Sequence, residues 1–388
     1  MCNAVRFKRA LLGPDLDPVD DVWMTVKDGL ISAIGTGAAP AGIACHPAAV
    51  ALPGLVDCHV HLGLSGGADV QKESAALAGE DLTGLITANA SRHLRSGVTT
   101  VRDLGSPADA VLRGLKDGRF GPPRAPRIIS AGAISSPTGH GNFLARWAST
   151  RAEYEPAIRA IADLGGKFVK LFATGGVVTS GTVPGATQMD RSLLHDVTGM
   201  AHGLGLLVAA HAHGEEGIRN AIGAGVDSIE HFSYLTPEDV VLLPASRTTL
   251  VSTLVATERF ISSEQRETAS PEALEKILAH APHEREALQL AVAAGLPLAV
   301  GTDAGTTFNP HGFGMQEQAL HLAAAGMEPV AALRAMTVNG ALLLGEESGY
   351  LAVGRKADVL CLNADPTKDL SALHEINDVI LGGLSVHK

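Results

Sequence analysis

Between residues 52 and 305 short, nearly continuous apolar runs alternate with longer stretches of helical period. The runs are LPGLVDCHVHLGL (52–64), GVTTVRDLG (97–105), RIISAG (127–132), KFVKLFATGG (167–176), GLLVAAHAHG (205–214), VDSIEHFS (226–233), TTLVSTLV (248–255) and LPLAVGTDAG (296–305). The stretches 79–96, 150–164, 190–204, 215–224 and 271–295 read as amphipathic helices. Apolar strands with helices between them imply parallel β/α units buried on both faces. Eight such units predict a (β/α)8 TIM barrel of the α/β class. A doubly wound open sheet is the weaker alternative, because no G-x-G-x-x-G follows the first strand.

The two ends follow a different pattern. Residues 19–35, VDDVWMTVKDGLISAIG, read as a hairpin turning at Asp28-Gly29. Residues 351–388 contain LAVGRKADVLCLNADP and a last strand, NDVILGGLSV, with no long helical period. Together they predict a small β-sandwich domain built from both termini, 1–51 plus 350–388, with the barrel over 52–349.

Composition narrows the function classes. Apolar residues make up 46%, enough for a large core, and 44 Gly suit many tight strand–helix turns. A net charge of −11 argues against nucleic acid or an anionic membrane as partner. No stretch approaches the roughly 20 apolar residues of a membrane span. Pro14, Asp15 and Asp17 interrupt any secretory apolar core near the start. Cys2, Cys45, Cys58 and Cys361 are scattered and fit reduced thiols. A cytoplasmic protein with a small-molecule substrate is expected, and a homo-oligomer.

The candidate chemistry lies at the C-terminal ends of the strands, where a barrel places its active site. The first strand ends in His59-Val60-His61, two imidazoles that share a face at a spacing of two. The fifth ends in His211-Ala212-His213, the sixth in Glu230-His231, the eighth in Thr302-Asp303. Singly, each fits a structural hydrogen-bonding group. Jointly they gather imidazoles and a carboxylate at one mouth, the ligand set of zinc or a similar divalent ion. Lys170 stands in the apolar run FVKLFA, where an unpaired ammonium is costly. It fits a salt-bridge partner or a Schiff-base lysine. His202, His280, His283, His321 and His374 fall in helices or connections and read as surface or packing residues.

The stretches LPGLVDCHVHLG, GVTTVRDLG, TGHG (138–141), KLFATGG, VAAHAHGEEGIRNAIGAGVDSIEHFSYL, GTDAG, AMTVNGALLLG and GRKADVLCLNADP occur in the order found in one family. The sequence resembles the amidohydrolase superfamily and, within it, the imidazolonepropionase-related dipeptidases of the Xaa-Pro dipeptidase (prolidase-like) type. The resemblance implies two divalent metal ions, zinc by default, bridged by a carbamate that CO2 forms on Lys170. It implies that His59, His61, Lys170 and Asp303 hold one ion and Lys170, His211 and His231 the other. It further implies hydrolysis of the C–N amide bond of a dipeptide or N-acyl amino acid by a metal-bridging hydroxide, with Asp303 as proton shuttle. His140 is expected to be catalytic or substrate-binding. His213, Tyr234 and Arg102 are further substrate-binding candidates. Some relatives have Tyr where this chain has His213, a departure that bears on proline-dipeptide specificity. Arg102 equally fits a salt bridge to Asp103 or another acid at the mouth. The segment 139–150 is a candidate lid, and His311 a supporting residue. The alternative substrates are a cyclic amide, carbamate, urea or aryl amide. A mononuclear deaminase fits less well, because Glu215 and Glu216 lie too far along the chain. A non-catalytic scaffold barrel is disfavoured by the complete ligand set.

Overall fold

The computed structural model describes residues 3–38, 44–77 and 79–386. Cys2 lies outside them. Eight parallel strands follow one another around the barrel: β1 (Leu55–Val60), β2 (Val98–Asp103), β3 (Arg127–Ser135), β4 (Phe168–Phe172), β5 (Leu207–Ala212), β6 (Ser228–His231), β7 (Thr249–Ser252) and β8 (Leu298–Val300). Beyond β8 the chain draws the ring nearly closed against β1. Asp303 N donates to His59 O at 2.7 Å, and His61 N donates to Ala304 O at 2.8 Å.

The intervening helices match the periodic stretches. They include Gly79–Arg95, Arg151–Asp163, Arg191–Gly203, Glu215–Ala224 and Pro271–Ala293. Local signals set their ends. Asp190 accepts from Leu193 N, Ser270 accepts from Ala273 N, and Thr150 with Glu153 forms a capping box.

Alternation along the strands sorts side chains into two layers. Val169, Leu171, Val208, Ala210, Ile229 and Leu250 face outward and pack with helix residues such as Ile158, Leu194 and Ile218. Ala131, Phe168, Ala209, Val251 and Ala299 pack in a separate interior cluster. Lys170 is two residues beyond Phe168 and shares its inner face. The sequence FVKLF therefore sends its lysine into the barrel and not among the helices.

The first strand breaks this alternation. Against β2, Asp57 pairs with Val101 and Val60 with Asp103, three steps on one strand against two on the other. Such an extra residue is a bulge, which re-aims the side chains that follow it. Val56 and Cys58 pack in the interior before it, whereas Val60 packs outward after it. The parity change gives His59 and His61 the inner face.

The second sheet draws on both ends of the chain. Its order is Leu384–Ser385, Ile376–Leu381, Val359–Leu362, Val50–Pro53, Asn3–Leu12, Asp17–Lys27 and Leu30–Thr36, with Ala44–Cys45 beside Asn3–Leu12. Phe7, Val22, Met24, Ile31 and Val359 form its own buried cluster. The hairpin turns at Asp28 and Gly29, with φ of 53° and 78°, as a two-residue turn with both residues left-handed requires. Two expectations need correction. The run 52–64 is two strands, because the chain leaves the second sheet at Pro53 and enters the barrel at Leu55. Gly54 between them lies against Thr99, whose Oγ1 would be 2.2 Å from an added Cβ. The last strand is likewise a hairpin, bent at Gly382 and Gly383 with φ of 57° and 82°.

Candidate active site

Two clusters of donor atoms meet at the C-terminal mouth of the barrel. The first joins His59, His61 and Asp303. Both Nε2 atoms lie 3.2 Å from Asp303 Oδ1. The far ring nitrogens are anchored: His61 Nδ1 to Gly105 O at 2.9 Å, His59 Nδ1 to Glu230 Oε2 at 2.9 Å. A backbone carbonyl only accepts, so His61 Nδ1 is the donor and, in the neutral ring, Nε2 is a lone pair. Lone pairs facing a carboxylate need a cation or proton between them. Burial pushes the Asp303 carboxyl up, but a proton shared with the facing ring nitrogens more than offsets it and holds the group below the usual range. Asp303 has φ of 52°, a left-handed conformation that is strained for a non-glycine and is found at functional sites.

The second cluster joins His211, His213 and His231. His211 Nε2 faces Gly175 O at 3.1 Å, His231 Nδ1 faces Thr253 Oγ1 at 2.7 Å, and His213 Nδ1 faces Ser233 Oγ at 2.8 Å. Each ring thus keeps its other nitrogen for a ligand, the usual outer-shell arrangement of metal-binding histidines. Desolvation pushes all three well below the ordinary imidazole value, so they are neutral donors. In a regular strand Glu230 and His231 would face opposite sides. Left-handed backbone at His231 (φ 72°) and Phe232 (φ 44°) breaks the alternation, and both side chains reach the His59 ring.

Lys170 lines the same cavity. It is 1% exposed, and among the described residues its Nζ has no hydrogen-bond partner. Burial lowers its pKa to about 8. A buried, unpartnered amine beside neutral imidazoles is the feature least compatible with an empty site.

Arg102 is not part of the cavity wall, which corrects its reading as a substrate contact. It is fully buried and donates to Cys58 O, Ser228 Oγ (2.9 Å) and Glu230 Oε1 (2.8 Å). Its partner is Glu230 and not Asp103. Burial would raise the Glu230 carboxyl, but Arg102 and then His59 bring it down to about 2. Arg102 therefore fixes Glu230, which fixes His59. Tyr234 also lies off the cavity, packed against His280 and His283. Glu215 pairs with Arg219 and Glu216 with Thr187, and neither lines the cavity.

His140 does enter the site. Its ring is 4.4 Å from that of His211, and Nδ1 faces Thr179 Oγ1 at 2.8 Å. Gly176 makes room for it, since a Cβ there would be 2.2 Å from the ring. Gly141, Phe143 and Leu144 of the candidate lid line the cavity, whereas Trp147 is exposed. His311 supports the wall through His93 and Leu64 O. The rest of the lining is largely apolar: Val70, Phe172, Val177, Phe260 and Ile277.

Sequence reasoning missed three residues. Glu230 stands at the end of its strand in the sequence with no role assigned to it. Glu284 lines the cavity, and His280 packs 4.4 Å from His213. Both occupy the apolar stripe Ile277, Ala281, Ala287, Leu288, Ala291 of helix Pro271–Ala293, a signal present in the sequence.

Comparison with known proteins agrees with this geometry. The sequence model of the Amidohydrolase family matches residues 50–386. The chain is 29% identical over 410 residues to the ochratoxinase of Aspergillus niger, covering 94% of this chain and 82% of that one. The crystal structure of A. niger ochratoxinase matches with a TM-score of 0.85 over 99% of this chain and 95% of that chain, at 26% identity. A Xaa-Pro dipeptidase crystallised with methionine in its active site matches with a TM-score of 0.87 over 99% of both chains, at 25% identity. An imidazolonepropionase of Salinispora tropica is 28% identical over 382 residues, 89% of this chain and 86% of that one. With a family match running from the second sheet through the whole barrel, this chain belongs to the amidohydrolase family and is a hydrolase acting on carbon–nitrogen bonds.

Proposed function

We propose that this enzyme is a binuclear, metal-dependent hydrolase of the amide bond of a dipeptide or N-acyl amino acid. The observation that carries the reading is the Lys170 amine, unpartnered among the described residues, in the same cavity as two sets of lone-pair donors. His59, His61 and Asp303 would hold one divalent ion and His211 with His231 the other, with Lys170 between them as a carbamate. Zinc suits imidazole and carboxylate donors. Carboxylation needs the neutral amine: the Nζ–C bond to CO2 forms as one proton leaves. A pKa of about 8 leaves roughly a tenth of the amine neutral at pH 7, far more than an ordinary lysine has. Divalent ions there supply Lewis-acid chemistry, lowering the pKa of water and polarising a carbonyl.

The chain's own groups do the rest. Asp303 Oδ1 faces His59 and His61, while among the described residues none donates to Oδ2. This carboxylate takes a proton from the attacking water and delivers it to the leaving nitrogen as the C–N bond breaks. His140, its Nδ1 held by Thr179, presents Nε2 to the substrate carbonyl. His213 adds a third imidazole to the His211 cluster, and its free nitrogen faces either ion or substrate.

The apolar wall favours a second reading. Phe143, Leu144, Val177, Phe260 and Ile277 suit an aryl or cyclic amide, carbamate or urea, in keeping with a relative named ochratoxinase. The test joins metal analysis to turnover. Wild-type protein should carry about two divalent ions per chain and hydrolyse a member of a dipeptide, N-acyl amino acid and cyclic or aryl amide panel. Lys170→Ala should lose metal and activity together, and Asp303→Asn should lose activity. Metal-free wild type with hydrolysis undiminished in Asp303→Asn would refute the reading.

A further inference from the structure

Helix Pro271–Ala293, which follows β7 by way of helix Leu254–Ser262, places one acid, not among the candidate metal donors, on the wall of the cavity. Glu284 is 3% exposed and lines the cavity. Its Oε2 accepts from Thr257 Oγ1 at 2.6 Å, and among the described residues none donates to its Oε1. The nearest basic group is His280, whose Nε2 is 3.8 Å from Oε2. Burial pushes that imidazole down to about 4, so it is neutral and brings no counter-charge.

The neighbouring cations are committed elsewhere. Arg285 pairs with Glu258, Arg259 with Glu317, and Lys276 with Glu272. Ala256 and Phe260 of helix Leu254–Ser262 and Ile277 of Glu284's own helix add apolar lining to the same cavity. An acid fixed on one oxygen, free on the other and set in an apolar wall lacks its counter-ion. Burial pushes Glu284 up to about 7, as expected of a carboxyl kept without one.

We propose that Glu284 is a specificity-determining residue that receives an ammonium group of the substrate, so that the enzyme selects amides carrying a protonated amine on an apolar body. This rests on the amide-hydrolase reading of the same cavity and divides its substrate classes. A free dipeptide or aminoacyl amide offers the ammonium; an N-acyl amino acid or a neutral aryl amide does not. A hydrogen bond from a charged donor to a carboxylate is among the stronger ones, and its loss costs roughly tenfold or more in affinity.

The test reads binding without turnover, so it stands apart from whether any amide is cleaved. Phenethylamine and 2-phenylethanol, matched apolar bodies with and without the ammonium, are titrated calorimetrically into metal-loaded protein at pH 7.5. Wild type is expected to prefer the amine at least tenfold, and Glu284→Gln to reduce that preference at least tenfold with metal content retained. Thr257→Val, which removes the donor that orients the carboxyl, should reduce the preference in the same direction and serves if Glu284→Gln does not fold. Equal affinity of wild type for the two ligands, failure of wild type to bind the amine, or a preference that survives in the variants would overturn the proposal. The hydrolase reading fails separately, on metal content and on turnover of the amide panel.

Discussion

Lys170 shows how one residue acquires a function from its surroundings. On the inner face of β4 it has no hydrogen-bond acceptor among the described residues, so its ammonium is disfavoured and its neutral amine accessible. A single carboxylate, Glu230, links Arg102 to His59 below the ligands. Replacing Glu230 by Gln should weaken metal binding by about 10- to 100-fold, the usual cost of losing an outer-shell partner. Chelator competition would measure it, and an unchanged metal affinity would refute the role. Removing the other end is expected to act differently. Arg102→Met leaves the buried Glu230 carboxylate without its guanidinium partner, which should cost about 3–5 kcal/mol of stability, read by denaturant unfolding. A loss below about 1 kcal/mol would show that the pair does not hold Glu230 charged.

At the scale of elements, irregularities place the side chains. The bulge in β1 turns His59 and His61 inward, and left-handed backbone at the end of β6 turns His231 to the same side as Glu230. The loop after β4 must pass close to His140, which only a glycine at 176 permits. Gly176→Ala should therefore displace the His140 ring while replacing no metal donor. We expect kcat/KM to fall at least tenfold with metal content unchanged. Undiminished activity would show that His140 does not contact the reacting carbonyl. The eight-strand order and the main helices were legible from periodicity, because each strand and helix carries its own pattern. The bulge, the break at Gly54 and the hairpin at Gly382-Gly383 were not, because each depends on what the neighbouring strand does.

At the scale of the whole molecule, the barrel buries many ionisable groups together. Among the described residues eight imidazoles are pushed down by burial: His93, His140, His211, His213, His231, His280, His311 and His321. Four carboxyls are pushed up: Asp57, Asp103, Asp109 and Glu284. A histidine kept neutral on folding contributes stability above its unfolded value of about 6.5, and that contribution is lost as pH falls below it. The raised acids act in the opposite sense, losing stability as pH rises through about 6 to 7. The imidazoles outnumber them, so metal-free protein should lose stability as pH falls from 7 to 5. Thermal unfolding in chelator across that range would show it; a melting temperature that stays level or rises on acidification would contradict it. Bound metal should raise the melting temperature, because ions that bind the folded state alone stabilise it by mass action.

The sequence by itself determined the barrel, the second sheet from both ends and the donors gathered at the strand ends. These follow from local periodicity and from the rule that a barrel opens its site at the C-terminal ends of its strands. Only the tertiary structure decided which polar residues face the cavity. Arg102 and Glu230 sit on adjacent inner faces and satisfy each other beneath the donors. Tyr234 packs outside, while Glu284 reaches the wall from its helix. Side-chain direction at a bulge or a left-handed residue is set by packing partners far away in sequence. The apolar stripe of a helix marks its residues as buried but does not say what they meet.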